Sequence, residues 1–206
     1  MSDSEPKLED LLGIKFRWPT RGDRLFAPAA HWTQNAEIHA EAAARNYFMT
    51  SGYKEAADHM INVTLKDRVE GRYLIYPIVF CYRQFIELSL KNQLADYGGM
   101  AGIEPPKRGH DLKALLRAFR KMCRELHGRN DETLIVVSKC ILEFARMDPT
   151  SFTFRYATNS DGTPYKVSTD QIDLARLKDV MDAIASFFVG SDGYFSEMAS
   201  AQPYEY

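Results

Sequence analysis

The amino-acid sequence predicts an all-α protein, an up-and-down bundle of five or six helices with one small β-hairpin inserted before the last helix. Apolar residues recur at helical spacing over most of the chain, and glycine or proline separates many of the periodic stretches. Only residues 150–167 alternate in the way that is typical of strands. The 206 residues are 45% hydrophobic and 26% charged, which fits one globular domain and argues against a chain that is disordered throughout.

The chain divides into three predicted segments. Residues 1–35 form an N-terminal arm without sustained periodicity, residues 36–190 form the helical bundle, and residues 191–206 form a peripheral tail. Because the arm carries four large aromatic side chains, we expect it to pack on the bundle rather than extend into solvent. These side chains are Phe16, Trp18, Phe26 and Trp32.

The sequence of the first half of the bundle predicts three helices. Residues 36–50 and 54–66 are rich in helix-forming residues and are separated at Ser51-Gly52. Residues 72–97 are apolar around most of the helix circumference, which predicts a central position in the bundle. Pro77 is expected in the first turn of this helix or at a kink, because proline cannot donate an interior hydrogen bond.

Two further helices precede the predicted hairpin. Residues 110–127 are sharply amphipathic, with leucines and Phe119 on one face and basic residues on the other. Residues 132–147 form the next predicted helix, with Asn130 or Asp131 as its N-cap.

A hairpin and a final helix complete the predicted fold. The β-prone residues 152–156 and 165–167 flank a turn sequence at 159–162. Ser168 and Gln171 then predict a capping box for a helix that runs to about residue 189, with Gly190 just beyond its end.

The charge is distributed unevenly. The net charge of −2 excludes a globally basic nucleic-acid binder, but residues 107–129 carry eight Lys or Arg against two acidic residues, a net +6 on a remainder of −8. This basic face predicts attraction of phosphates, or else a solvated surface that pairs with acidic residues of a neighbouring helix, a second subunit or an acidic protein partner. Its central residues are Lys113, Arg117, Arg120, Lys121 and Arg124.

Cysteine usage and the polar start of the chain favour the cytoplasm. Cys81, Cys123 and Cys140 lie among apolar neighbours without metal-binding spacing, which is typical of reduced core cysteines. Residues 1–10 lack the pattern of a signal peptide, and the most apolar run is too short to span a membrane. We therefore expect a cytoplasmic protein without membrane association.

Charged residues on the central helix are candidates for a site. Arg83, Glu87 and Lys91 are spaced four apart, so they can form one stripe on a helix that is otherwise apolar. Because buried charges are costly unless paired, the stripe predicts either a structural ladder of ion pairs or an Arg83 or Glu87 that faces a cleft or a dimer interface. His110 and Asp111 open the basic helix, where a structural capping role for either residue competes with a role in the site.

A second group of candidates precedes the last helix. Arg155 and Tyr156 come just before a turn that contains Asp161. A loop arginine can bind a phosphate with two parallel hydrogen bonds, and a tyrosine can stack on a base. The alternative is that Arg155 pairs with a carboxylate and pins the hairpin.

Common catalytic motifs are missing from the sequence. It contains no phosphate-binding glycine loop, no G-x-S-x-G and no H-E-x-x-H. The five histidines do not pair at the spacing of metal ligands, so we expect neither a metal nor a cofactor.

Three short motifs lie in a fixed order along the predicted helices. They are Glu87-x-x-x-Lys91, His110-Asp111-Leu112 with Leu115, and Arg155-Tyr156-Ala157. In this order they resemble the E-x-x-x-K, HDL-x-x-L and RYP motifs of the HEPN superfamily, the helical-bundle domains of prokaryotic toxin, defence and nucleotide-linked systems, with alanine in place of the proline. The resemblance covers about residues 37–190.

The resemblance implies a dimer of helical bundles. In the ribonuclease members of the superfamily, an arginine followed at a short interval by a histidine forms a metal-independent RNA-cleaving site at the dimer interface. Arg155 falls on the arginine, but Ser160, Asp161 and Gly162 occupy the positions where the histidine would lie. The group that would perform acid–base chemistry is therefore absent from its place in the motif.

We therefore expect a homodimeric binding or regulatory module, without nuclease activity, in a prokaryotic defence or toxin–antitoxin system. Arg155 and Tyr156 would hold a phosphate-bearing ligand, a nucleotide or RNA, with support from Arg83 and Glu87. Two alternatives stay open. One is an active metal-independent endoribonuclease that uses another group, such as His110, and the other is a purely structural helical interaction protein.

Overall fold

The structure, a computed structural model, describes residues 13, 17–66, 71–106, 109–128 and 131–201. These residues form an all-helical protein with five α-helices. The helices are α1, Ala42–Thr64; α2, Gly71–Tyr97; α3, Leu112–His127; α4, Glu132–Met147; and α5, Leu174–Ala201. A 3-10 turn, Gly98–Ala101, follows α2.

The chain forms two compact units, Met1–Ile38 and His39–Tyr206. The first contains a 3-10 helix, Trp32–Gln34, beside which the Asn35 side chain accepts a hydrogen bond from the Ala29 backbone N–H and donates one to its carbonyl oxygen. The predicted packing of this arm on the bundle stays a prediction.

The second unit is a helical bundle in which α2 is the central helix, as its sequence predicts. It packs against α1, α3 and α5, and most of its length is buried. Its fully buried apolar side chains are Ile78, Tyr82, Ile86, Leu90 and Leu94. Pro77 lies inside the helix, one turn later than a first-turn position. Among the described helices, none is long and apolar enough to cross a membrane.

The two caps that the sequence predicts for α3 and α4 are confirmed. Asp111 accepts hydrogen bonds from the backbone N–H groups of Lys113 and Ala114, and Asp131 accepts one from Thr133. Asn130, the alternative cap, lies outside the described residues.

The predicted break in the first helical region is wrong. α1 continues through Ser51-Gly52 as one helix, and Ala57 and Ile61 on it are fully buried. A glycine inside a helix costs about 1 kcal/mol, which the burial of even one large aliphatic side chain outweighs.

The predicted limits of the last helix are also wrong. α5 begins at Leu174, where Asp173 rather than Ser168 accepts the hydrogen bond of the first turn, from the Arg176 backbone N–H. The helix continues past Gly190 because Phe195, in the segment predicted as tail, is buried in the core.

The predicted β-hairpin does not form. Among the described residues of 150–167, the only β pairing is an isolated antiparallel bridge between Thr158 and Pro164. Residues 152–156 are turns because the Asp148 carboxylate accepts the backbone N–H groups of Phe152 and Thr153, which a strand partner would otherwise bind.

Candidate functional site

A fully buried arginine joins three parts of the bundle. The Arg83 side chain, on α2, is 0% exposed. Its Nη1 donates to Glu87 Oε2 at 2.8 Å, its Nη2 donates to the His110 carbonyl oxygen at 2.6 Å, and its Nε donates to the Asp148 carbonyl oxygen at 3.2 Å. The guanidinium thus ties α2 to the start of α3 and the end of α4.

Glu87, one turn further along α2, is also buried and has a second set of partners. Its Oε1 accepts hydrogen bonds from Lys91 Nζ at 2.7 Å and from His110 Nδ1 at 2.8 Å. Burial raises the pKa of Glu87, but the hydrogen bonds from Lys91 and His110 outweigh burial and hold this pKa below its usual value. The ladder of Arg83, Glu87 and Lys91 that the spacing predicts is therefore present, and it includes His110.

The His110 imidazole is fixed on one side and open on the other. An ionised carboxylate only accepts hydrogen bonds, so Nδ1 carries the proton that is donated to Glu87. The side chain is 51% exposed, and its Nε2 has no partner among the described residues. This arrangement holds the ring at the surface with one nitrogen directed away from the carboxylate.

Asp148 organises the loop that follows α4. Its Oδ1 accepts two backbone hydrogen bonds from that loop, and its Oδ2 lies 3.4 Å from Arg83 Nε. Ser151, next in the loop, is fully buried and has φ of +68°, a left-handed conformation that is strained for a residue with a side chain. Its hydroxyl accepts a hydrogen bond from Gln84 Nε2 at 3.1 Å, so α2 holds the loop directly.

This loop presents Arg155 among aromatic rings. Arg155 Nε donates to the Ser151 carbonyl oxygen at 2.6 Å, and the guanidinium carbon lies 4.7 Å from the Phe152 ring centre, 5.7 Å from Phe80 and 5.6 Å from Tyr156. Within the described ranges, no carboxylate pairs with Arg155, so the ion pair considered as an alternative is not formed there. The two terminal nitrogens remain available to a ligand.

The remaining candidates lie apart from this cluster. Asp161 is exposed in the turn and accepts a hydrogen bond from the Thr163 backbone N–H at 2.9 Å, with no contact to Arg155 in the described structure. The side-chain and backbone hydrogen bonds with Thr163 lower its pKa. Its carboxylate therefore shapes the turn and does not join the arginine.

The basic face of α3 is exposed along its length, opposite the buried leucines. Its residues are Lys113, Arg117, Arg120, Lys121 and Arg124. None of them forms an ion pair with another residue for which the structure gives a position. Lys107, Arg108 and Arg129, which the sequence adds to this face, lie outside the described residues.

The sequence missed the residues that connect the two groups of candidates. Asp148 reads as a helix stop before Pro149, and Gln84, Ser151 and Phe80 read as ordinary surface or core positions. One signal was present: an arginine on the most apolar helix needs acceptors beyond one glutamate, and Asp148 is a nearby acid at a helix end.

Comparison of the chain with protein-family models, curated proteins and solved structures finds no match. In the part of the chain with described positions, no three His, Cys, Asp or Glu side chains are grouped to hold a metal ion. The cysteines Cys81, Cys123 and Cys140 are free thiols, and burial raises their pKa values.

Proposed function

We propose that this protein is a binding or regulatory module for a phosphate-bearing ligand, a nucleotide or single-stranded RNA. The observation that carries the proposal is Arg155, which is held through Nε and lies close to three aromatic rings while its two terminal nitrogens lack a partner among the described residues. A planar guanidinium fixed in this way is suited to bidentate binding of phosphate.

The aromatic side chains beside Arg155 favour a nucleotide over inorganic phosphate. Tyr156 is 55% exposed and Phe152 is 40% exposed, although both contact the guanidinium. Each offers part of a ring face on which a base can stack, and a base on an aromatic ring contributes about 1–3 kcal/mol.

Polar groups continue along the same face of α2. Phe80, under Arg155, and Glu87, under His110, are seven residues apart, or about 10 Å along a helix. His110 and Lys91 therefore lie beyond Arg155, and the basic face of α3 begins three residues after His110. This succession fits an extended chain of phosphates, and RNA is the ligand that best uses it.

The finer assignment is part of the same proposal. The three motifs that resemble those of the HEPN superfamily lie on α2, at the start of α3 and in the loop before α5, and their polar residues take part in the site. We propose a diverged HEPN-like homodimer of the cytoplasm, in a defence or toxin–antitoxin setting. Sedimentation equilibrium of the full chain tests the dimer, since a monomer at all concentrations would contradict it.

Binding is measured by fluorescence anisotropy of a labelled single-stranded oligoribonucleotide. Arg155→Ala is expected to weaken binding at least tenfold, because a hydrogen bond to a charged group contributes about 1.5–3 kcal/mol. Arg45→Ala, which removes an exposed arginine from α1, is the matched control and should leave binding unchanged. Equal affinities for Arg155→Ala and wild type, or a loss of thermal stability alone, would favour the purely structural alternative.

A second candidate function is metal-independent RNA cleavage, and the contact between Glu87 and His110 favours it. A carboxylate that fixes the protonated Nδ1 leaves Nε2 free to accept a proton, as a general base requires. Incubation of RNA with the protein in EDTA tests this function. Cleavage that is lost in His110→Gln would support this function. RNA that binds tightly but stays intact would contradict it and favour the binding module.

A further inference from the structure

A second concave site lies on the bundle, between α1 and α5 and above α2. Its cavity volume is about 710 Å³, and Phe85, Ser89 and Asn92 of α2 form part of its floor. Tyr47 of α1 and Phe188 of α5 contribute aromatic walls. None of the residues proposed to bind phosphate lines this groove, so it is a separate site.

The groove is electronegative. It is lined by the carboxylates of Glu55, Asp96 and Asp192, and none of the three pairs with a cation at a described position. Burial and the negative charge of Asp192 raise the pKa of Asp96, as expected where two carboxylates share a site without a counter-ion.

The one lysine in the lining does not neutralise these carboxylates. Lys54 Nζ donates to Asp58 at 2.6 Å and to Asp182 at 2.5 Å, and Lys178 pairs with the same two acids, so these four charges balance one another. A ligand that complements the groove therefore has to be cationic.

The Ser89 hydroxyl on the groove floor supplies a second, independent indication of a ligand. Ser89 is only 7% exposed, lines the groove and has no hydrogen-bond partner among the described residues. Because Ser89 lines the groove, a donor on a bound ligand can reach its hydroxyl oxygen.

The acidic groups lie at two ends of an amphipathic floor. α1 runs antiparallel to α2, since Thr50 contacts Asn92 and Asp58 contacts Tyr82, so Glu55 lies near the middle of α2. Asp96 is about ten residues further along, a distance of about 15 Å on a helix. Between the two ends, the rings of Phe85 and Phe188 offer an apolar surface.

We infer that this groove binds a linear aliphatic polyamine. One terminal ammonium pairs with Asp96 and Asp192, the other pairs with Glu55, and the methylene segments lie over the aromatic rings. An inner amine donates a hydrogen bond to the Ser89 hydroxyl. A compact cation such as Mg²⁺ would satisfy one end only and would gain nothing from the apolar surface.

Calorimetric titration of the full chain with spermidine tests the inference. The salt concentration is about 0.15 M, which screens diffuse attraction between spermidine and the protein surface. Saturable binding of one spermidine per chain is expected, and Asp96→Asn, which removes an exposed carboxylate, should weaken it about threefold to fivefold. Glu143→Gln, which removes an exposed acid from α4, is the matched control and should bind as wild type does. Putrescine, which is too short to reach both ends, should bind more weakly.

Three results would overturn the inference. They are the absence of saturable binding, an equal loss of affinity in Glu143→Gln, and displacement of spermidine by Mg²⁺ at matched ionic strength. Ser89→Val provides a second test that does not alter charge, since it removes the hydroxyl and should weaken binding without lowering the melting temperature by more than a few degrees. Unchanged affinity in Ser89→Val would also contradict the proposed position of the ligand.

Discussion

Replacement of the buried Arg83 by methionine should destabilise the protein far more than the loss of an exposed charge. Arg83→Met keeps most of the aliphatic volume but removes the only side chain that contacts both Glu87 and Asp148 among the described residues. It also removes the donors to two backbone carbonyl groups, those of His110 and Asp148. Breaking a buried ion pair in this way costs about 3–5 kcal/mol.

The expected loss is a large fraction of the total stability. The free energy of unfolding of a native protein is about 5–15 kcal/mol. Arg83→Met should therefore lower the urea midpoint strongly and leave the slope of the transition unchanged. Far-UV circular dichroism during urea titration measures both quantities.

Lys91→Met is the matched control because Lys91 donates to the same Glu87 carboxylate from a side chain that is 35% exposed. Solvent screens this pair, so its loss should cost about 0–1 kcal/mol. The double variant Arg83→Met, Glu87→Leu should recover part of the loss, because it also removes the unpaired carboxylate. Equal destabilisation by Arg83→Met and Lys91→Met would refute the network as the buried support of the site.

Three further predictions concern stability. Because the pKa of Glu87 lies below its usual value near 4.5, its charged state adds stability that is fully present above about pH 4.5 and is lost as the pH falls through the folded-state pKa. The difference in unfolding free energy between wild type and Glu87→Gln should therefore shrink on acidification, and a difference that grows would contradict the assignment. Gly190→Ala should raise stability by about 0.5–1 kcal/mol, since an added Cβ meets no atom within 4 Å and alanine favours the helix. Gly98→Ala should lower stability instead, because its Cβ would lie 2.7 Å from the Ile103 carbonyl oxygen, and calorimetric melting of the two variants compares them directly.

The two proposals concern separate sites, the groove and the arginine site, so each can be tested without the other. Spermidine titration involves Glu55, Asp96 and Ser89, whereas RNA binding involves Arg155 and the basic face. Binding of RNA without binding of polyamine would support the proposed function and contradict the polyamine groove. Binding of polyamine without binding of RNA would support the groove and contradict the proposed function.

Local pattern was sufficient for the regular parts of the fold. The all-helical class, the central position of α2 and the Asp111 and Asp131 caps follow from periodicity and capping chemistry, which act within one turn of the chain. The spacing of Arg83, Glu87 and Lys91 likewise predicts their ion pairs, because residues four apart on a helix are neighbours.

Tertiary packing decided the rest. The sequence alone placed breaks at Ser51-Gly52 and Gly190, but burial on both sides outweighs the small cost of glycine and keeps α1 and α5 continuous. It read residues 152–156 as a strand, but the Asp148 carboxylate takes the backbone donors that a strand would need. These outcomes depend on groups that are distant along the chain or unremarkable in it, and only the folded structure brings them within hydrogen-bonding distance.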